Sequence, residues 1–593
     1  MQTGLPKPSL PPALEFEDDA PALFKPLRTS PRAIIPWGGF TSLQVNINAQ
    51  GQNILRDAAN EPSLCVDPNN PSRIAVGWRQ FDSVASNFRQ AGYGLSADGG
   101  LTWAFPGRID PGVFHSDPVL GARYDSTFYY LTLLNYPYPT QLWSSINGGA
   151  SWTQVGPSEG GDKQWFTIDN TASPGRGNIY QLWDTATAYT GLQFTRTVNG
   201  GASWMSPIAI PGQPLYGVLD VDNNGTVYLC GSKNGVAGVE AVRSSNAKFA
   251  GQTPAFDLTT TVNMGGDLGF GLAINPGGLS GQMWLAVDRS SSASPQPVYV
   301  LASIAGSGTN PCDVMFARSL NGNVSWSNPI RVNDDPLGTS HYHWFGSLAV
   351  SPTGRLDAVW NDTRDDATHA TSSLYYAFSL DGGQHFSANI RVSPSFNQSL
   401  GYPNQNKMGD YIGVVSNSVG ANIAYTATFN NEEDIYFMNI PPPAVVAPTS
   451  FQMVKGASSG GIGALASLDG IRMNLSAYTP RQPQPMIDMK VQAHSPSFSP
   501  KALLFNLVSN DNYSDAVTVS FFNWTTGAYE SVKTTQSTTA DSTVSVLASG
   551  DLTRFVNQST GEVRAELRWA PGYPVWRTNW VVSIDQAAWN VIP

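Results

Sequence analysis

Charge is scarce in this chain. Only 13% of its 593 residues are Asp, Glu, Lys or Arg, and 44 acidic residues outnumber 33 basic ones for a net charge of −11. No cluster of Lys or Arg relieves that deficit, which excludes the basic footprint that a nucleic-acid partner needs. Cysteine is scarcer still. Cys65, Cys230 and Cys312 share no metal-binding spacing and are odd in number, so neither a disulfide framework nor a zinc site is expected. Cys65 and Cys230 fall in strand-like runs and read as small core residues. No apolar run approaches the roughly 18 residues of a transmembrane segment. The start, Met1-Gln2-Thr3-Gly4-Leu5-Pro6, lacks the charged and apolar regions of a signal peptide. That leaves a cytoplasmic protein, or one whose signal was removed before this numbering begins. The Lys-poor, Ser/Thr/Asn-rich composition favours the second, an extracellular, secreted protein.

Turn formers and large rings are plentiful instead: 57 Gly, 43 Pro, 17 Trp and 22 Tyr, with 41% hydrophobic residues to build a core. That combination reads as all-β with many turns. One phrase recurs. Ser96-Ala97-Asp98-Gly99-Gly100-Leu101-Thr102-Trp103 returns as Ser145–Trp152 and Thr197–Trp204, and more loosely as Ser319–Trp326 and Ser379–Phe386. Its pattern is Ser/Thr-x-Asp/Asn-Gly-x-x-x-aromatic. The Asp or Asn can bond nearby backbone N–H groups and Gly permits positive φ, so the phrase predicts a hairpin turn with its aromatic packed back across it.

The phrase resembles the Asp box of the sialidase-like β-propellers. The resemblance covers residues 60–440 and implies a propeller whose boxes lie on the outer rim as structural staples, away from the site. Larger units agree with it. A short apolar strand, a polar turn and a second strand recur, the second strands being Arg73–Trp78, Thr127–Leu131, Asn178–Trp183, Thr226–Cys230, Met283–Val287, Leu356–Trp360 and Asn422–Ala427. The box aromatics stand 49, 52, 122 and 60 residues apart, so one box has decayed, at Arg243-Ser244-Ser245-Asn246. The last unit, ending at Asp434–Phe437, has no box and takes its outer strand from Leu43–Ile47. The expectation is therefore a seven-bladed propeller, where sialidases proper have six, followed by a C-terminal β-sandwich. Its parts are an extended N-terminal arm over 1–40, the propeller over 41–440, a Pro-rich linker over 441–450 and a sandwich over 451–593, which offers a cell-surface or matrix contact.

Chemistry in such a ring gathers where loops meet the innermost strands. Those loops supply Glu61, His115, Asp117, Asp162, Lys163, Trp165, His343, Trp344, Lys407, Asp410 and Tyr411 on one side, and Arg79, Arg89, Asp184, Arg289, Asp362 and Arg364 on the other. Carboxylates, arginines and rings suit a cleft that holds a sugar. Trp360–Asp366 reads equally as a ligand-facing loop and as a self-contained Asp/Arg turn. His341-Tyr342-His343 could ligate a metal, although histidines in ordinary turns are commoner; no metal or cofactor is expected. The sialidase resemblance implies substrate-carboxylate binding by Arg79, Arg289 and Arg364, a Tyr411 nucleophile paired with Glu61, and Asp117 or Asp162 as the acid. Asp362, Trp165, His343 and Trp344 would line the sugar. The Phe/Tyr-Arg-Ile-Pro motif of sialidases is absent. Three readings follow: a glycoside hydrolase, sialidase-like; a non-catalytic propeller that binds glycan or protein; and, last, metal-dependent lyase or hydrolase chemistry at the histidines.

Overall fold

The computed structural model describes residues 34–593 apart from 185–188, 190, 234–237, 307, 309, 478–485 and 572–578. Most of the proline-rich arm, residues 1–33, lies outside the described residues. Among the described residues no helix is long and apolar enough to cross a membrane. The chain falls into two compact units, one ending at Ile440 and one running Pro441–Pro593, which also takes in Ser387–Ile390.

Among the described residues the first unit holds seven antiparallel sheets of similar plan. Six follow one another along the chain, beginning with the strands Ala58–Asp67, Ser116–Ala122, Trp165–Ile168, Leu219–Val221, Trp284–Val287 and His343–Val350. The seventh begins at Gly413–Asn417 and is completed from the other end of the chain: Phe40–Gln44 pairs with Asp434–Ile440, Leu43 opposite Phe437. Each of these first strands touches the first strand of the next sheet, and Gly413–Asn417 touches Ala58–Asp67, so the series returns on itself. No sheet alone could bury both faces; stacked in a closed series, each covers its neighbour. Two expectations are corrected here. Met283–Val287 is not a second strand. Trp284–Val287 is the innermost strand of the fifth sheet and pairs with Val298–Ala305, because a long segment before it displaces the repeat. Nor is the arm extended to residue 40, since Ile34–Trp37 pairs with Phe40–Gln44 as an outer hairpin.

The recurring phrase folds the same way in all five copies. The Ser/Thr hydroxyl accepts from the second glycine position and donates to the Asp/Asn, which accepts from the residue four further on: Gly100 N to Ser96 at 2.8 Å, Ser96 to Asp98 at 2.8 Å, Thr102 N to Asp98 at 2.9 Å. The copies at Ser145, Thr197, Ser319 and Ser379 repeat these contacts. Where the second glycine is replaced, Asn323 takes φ 73° itself, as Asn tolerates better than most residues. The aromatic, however, packs on the neighbouring sheet as well as its own turn. Trp103 lies 5.0 Å from Phe437 of the seventh sheet, Trp152 6.0 Å from Tyr93 of the first, and Phe386 5.2 Å from Phe316 of the fifth. Each turn thus fastens one sheet to the one before it.

The second unit has two antiparallel sheets over a shared core. Phe505 packs 4.8 Å from Trp589 in its own sheet and 6.2 Å from Phe521 in the other. The stretch expected as a linker contributes a strand, Ala444–Val446, paired with Val581–Ile592.

Candidate functional site

Every one of the seven sheets places a left-handed residue at or just before its innermost strand: Glu61 (φ 52°), Asp117 (45°), Lys163 (56°), Tyr216 (57°), Gly281 (142°), Phe345 (58°) and Gly409 (98°). In the first, second and sixth sheets the ladder slips at this point, between Asn60 and Ser63, Ser116 and Val119, and Trp344 and Ser347. Such a bulge re-aims a side chain, and a non-glycine residue held there costs on the order of 1–3 kcal/mol. The device divides the ring. Sheets four to six carry Tyr216, Gly281 and Phe345 there, sheets one to three carry Glu61, Asp117 and Lys163, and in the seventh Gly409 is followed directly by Asp410.

Those groups form one network. Lys163 Nζ lies 2.7 Å from Asp410 Oδ2, 3.2 Å from Asp117 Oδ2 and 4.0 Å from Asp162 Oδ1. Lys407 Nζ meets the same Asp410 oxygen at 2.7 Å and Glu61 at 3.6 Å. Arg79 lies 3.1 Å from Glu61, donates from Nε to Asn60, and Asn60 donates in turn to Glu433. All are buried. The cover is partly the segment 269–283 of the fifth sheet, which reaches the seventh: Asn275 donates to the Gly409 carbonyl and accepts from Met408 N, and Leu279 N donates to Asp410.

Burial and pairing push the carboxyls in opposite directions. Burial raises Asp117 and Asp410, but Lys163 with Arg79 outweighs it at Asp117, and Lys163 with Lys407 holds Asp410 well below its ordinary value. Asp162 goes the other way, well above its ordinary value, because burial and the neighbouring Asp117 and Asp184 exceed the pull of Lys163. Burial likewise takes Glu61 to about 7 and Asp184 to about 8. Asp162 Oδ1 accepts from Lys163 N, while Oδ2 is buried without a hydrogen-bond partner among the described residues. The surroundings thus favour the protonated form of Asp162 beside the ionised form of Asp117. Carboxyls split in this way divide acid and base roles.

The other expected residues go elsewhere. Arg79, Arg289 and Arg364 are not brought together. Arg289 binds Asp220 at 2.6 Å near the far end of the innermost strands, and Arg364 belongs to the sixth sheet. There Arg364 takes both oxygens of Asp362, through its backbone N at 2.8 Å and its Nε at 2.9 Å, and reaches Asp334 at 2.7 Å. Asp362 and Arg364 thus make a self-contained turn. His343 is buried between Asp335 at 3.0 Å, Asp313 at 3.4 Å and Asp362 at 3.6 Å. Burial opposes its charge, but the three carboxylates outweigh burial and take it to about 9. Its Nδ1 also lies 3.0 Å from the Cys312 carbonyl, and no metal-holding group of three or more His, Cys, Asp or Glu occurs among the described residues. Tyr411 does not pair with Glu61. Its hydroxyl donates to the Pro118 carbonyl at 2.8 Å, and burial lifts it well above the ordinary tyrosine range. Trp165 and Trp344 are core rings, not platforms. Trp165 is wedged between Trp284 and Tyr411, and Trp344 Nε1 is tied to Ser372. Sequence reasoning missed Asn60, Glu433 and the Asn275 strap. The run Glu432-Glu433-Asp434, three acids opening a buried strand in so uncharged a chain, was the signal for Glu433.

No family model and no curated protein matches the chain. Solved structures resemble it in shape. A protein of unknown function from Dyadobacter fermentans has 12% identity, covers 67% of this chain and 96% of its own, and has a TM-score of 0.37. The Trypanosoma rangeli sialidase has 9% identity, 95% coverage of both chains and a TM-score of 0.35. A polysaccharide lyase described as an ulvan lyase has 9% identity, covers 68% of this chain and 96% of its own, and has a TM-score of 0.41.

Proposed function

We propose that the first unit is a seven-bladed propeller carrying a glycoside hydrolase site at the mouth where Glu61, Asp117, Asp162, Lys163 and Asp410 converge, and that the second unit is a β-sandwich accessory domain of a secreted protein. The observation that carries the reading is the split pair, with the neutral Asp162 and the ionised Asp117 both within 4.0 Å of Lys163 Nζ. Glycoside cleavage needs one carboxyl to protonate the departing oxygen and a second to act as base or nucleophile. Asp162 holds the proton and Asp117 the charge. Lys163 keeps Asp117 ionised and offsets charge as the proton leaves Asp162. Glu61 stays with Arg79 as a supporting pair. The separated arginines favour a neutral glycoside over a sialoside.

The network is buried, and on this reading the Asn275 segment that partly covers it must move for substrate to enter. Complete burial also favours the second reading, a propeller in which the same charges only lock the ring and whose surface binds glycan or protein. A panel of neutral aryl glycosides and a fluorogenic sialoside separates the two, with a glycan array alongside. Turnover of a neutral glycoside supports the hydrolase. Array binding without turnover of any member supports the second reading.

A further inference from the structure

The innermost strands enclose a second space, away from the charge network and lined toward their far ends. Adjoining compartments of about 510, 270 and 180 Å³ share Leu120 and Arg289 in their walls. The largest has the size of a small-molecule site. Its rim includes the turn residues Pro68 and Ser418, which are exposed, so it is open to solvent. Leu64, Leu120, Val350 and Val415 make its walls apolar.

One donor at this space has capacity left over. Arg289 uses Nη1 for Asp220 at 2.6 Å and for the Val221 carbonyl at 2.7 Å, and among the described residues no hydrogen bond engages its Nε or Nη2. Its side chain is 44% accessible. Deeper in, the buried Trp284 lines the compartment of about 270 Å³.

We propose that this end of the channel is a binding site for a small organic monocarboxylate with an apolar body. The carboxylate takes the Nε/Nη2 edge of Arg289, a fork suited to it. The apolar body lies along Leu64, Leu120, Val350 and Val415. Asp220, Asp169 and Asp222 all act on Arg289. These carboxylates oppose an anionic ligand, a dianion such as phosphate more strongly than a monocarboxylate. The site is independent of the mouth and of the hydrolase reading.

The test is calorimetric titration of the full chain with sodium octanoate, octanol, octylammonium and inorganic phosphate, repeated on Arg289→Gln, Val350→Trp and Asp162→Asn. The expected result is saturable one-site binding of octanoate, tighter than octanol and octylammonium, with no phosphate binding. Arg289→Gln weakens octanoate about tenfold, the equivalent of one charge-assisted hydrogen bond. Val350→Trp fills the channel and abolishes binding, and Asp162→Asn leaves it unchanged. Absence of saturable octanoate binding, equal binding of octylammonium, or undiminished binding to Val350→Trp overturns the proposal. The ligand series on the parent protein decides the charge preference even where a variant does not fold.

Discussion

The ammonium of Lys163 lies 2.7 Å from Asp410, a residue 247 positions away in the chain. That contact joins the third sheet to the seventh across the centre of the ring. It also explains why charged residues are tolerated there although they are buried. Each buried charge has an opposite partner, and desolvation of an unpaired one would cost several kcal/mol.

Breaking the pair should therefore be expensive. Lys163→Met leaves Asp117 and Asp410 facing each other with only Lys407 between Asp410 and Glu61, and is expected to destabilise the first unit by about 3–5 kcal/mol. The combination with Asp410→Asn should recover part of that loss, because one uncompensated charge is removed with the other. Urea unfolding of the parent, the single variant and the double variant measures it. A single variant as stable as the parent would show that the network carries no load in the fold.

The turns that fasten neighbouring sheets predict a graded pair of substitutions. Gly99 and Gly100 both sit at positive φ, 76° and 88°. A Cβ on Gly99 meets nothing, while one on Gly100 clashes with the Phe437 ring of the seventh sheet. Gly99→Ala should cost about 1–2 kcal/mol, the penalty of left-handed backbone alone. Gly100→Ala adds an overpacking penalty of about 1–3 kcal/mol. Equal unfolding midpoints for the two would contradict the inter-sheet fastening.

These turns also mark where the sequence was legible. The Asp or Asn, the hydroxyl two residues before it and the glycines act within one turn, so their spacing alone dictates the hydrogen bonds found at Asp98, Asn147 and Asp381. Carboxyls at Glu61, Asp117 and Asp162 were legible as a converging group for a similar reason, since each stands at the start of an innermost strand. What the sequence could not specify is direction across the ring. Arg289 follows its strand instead of preceding it, which puts it near the far end of the channel. Tyr411 stands next to Asp410, yet alternation turns its hydroxyl to Pro118. The Asn275 strap carries no repeat signal because it exists in only one sheet, and it shifted the reading of Trp284–Val287 by one strand.

Stability should peak on the acid side of neutrality. Burial raises Asp57 and Glu61 to about 7 and Asp184 to about 8, and carboxylate neighbours outweigh burial to raise His343 to about 9. A group raised in the folded state contributes stability that is complete below its ordinary value and lost as pH climbs through the folded one. All four therefore weaken the fold between about pH 4 and pH 9. Asp117, Asp410, Asp313 and Asp335 are lowered, and their contribution disappears in strong acid. Melting temperature followed across this range should fall from about pH 5 to pH 9, and Asp57→Asn with Asp184→Asn should flatten the decline. A melting temperature that rises over that interval would refute the protonation pattern.

The decisive measurement compares glycoside cleavage by the parent and Asp162→Asn, on protein whose unfolding midpoints have been matched. Burial and the neighbouring carboxylates favour the protonated form of Asp162, so Asn should replace it with little change in charge or volume and stability should stay within about 1 kcal/mol. Loss of the proton donor should lower kcat by about 10²–10⁴-fold on substrates with poor leaving groups. It should lower kcat far less on activated aryl glycosides, which leave without a proton. That pattern places the acid at Asp162. Unchanged turnover in a stable Asp162→Asn protein, or no turnover of any glycoside by the parent, contradicts a hydrolase at this mouth.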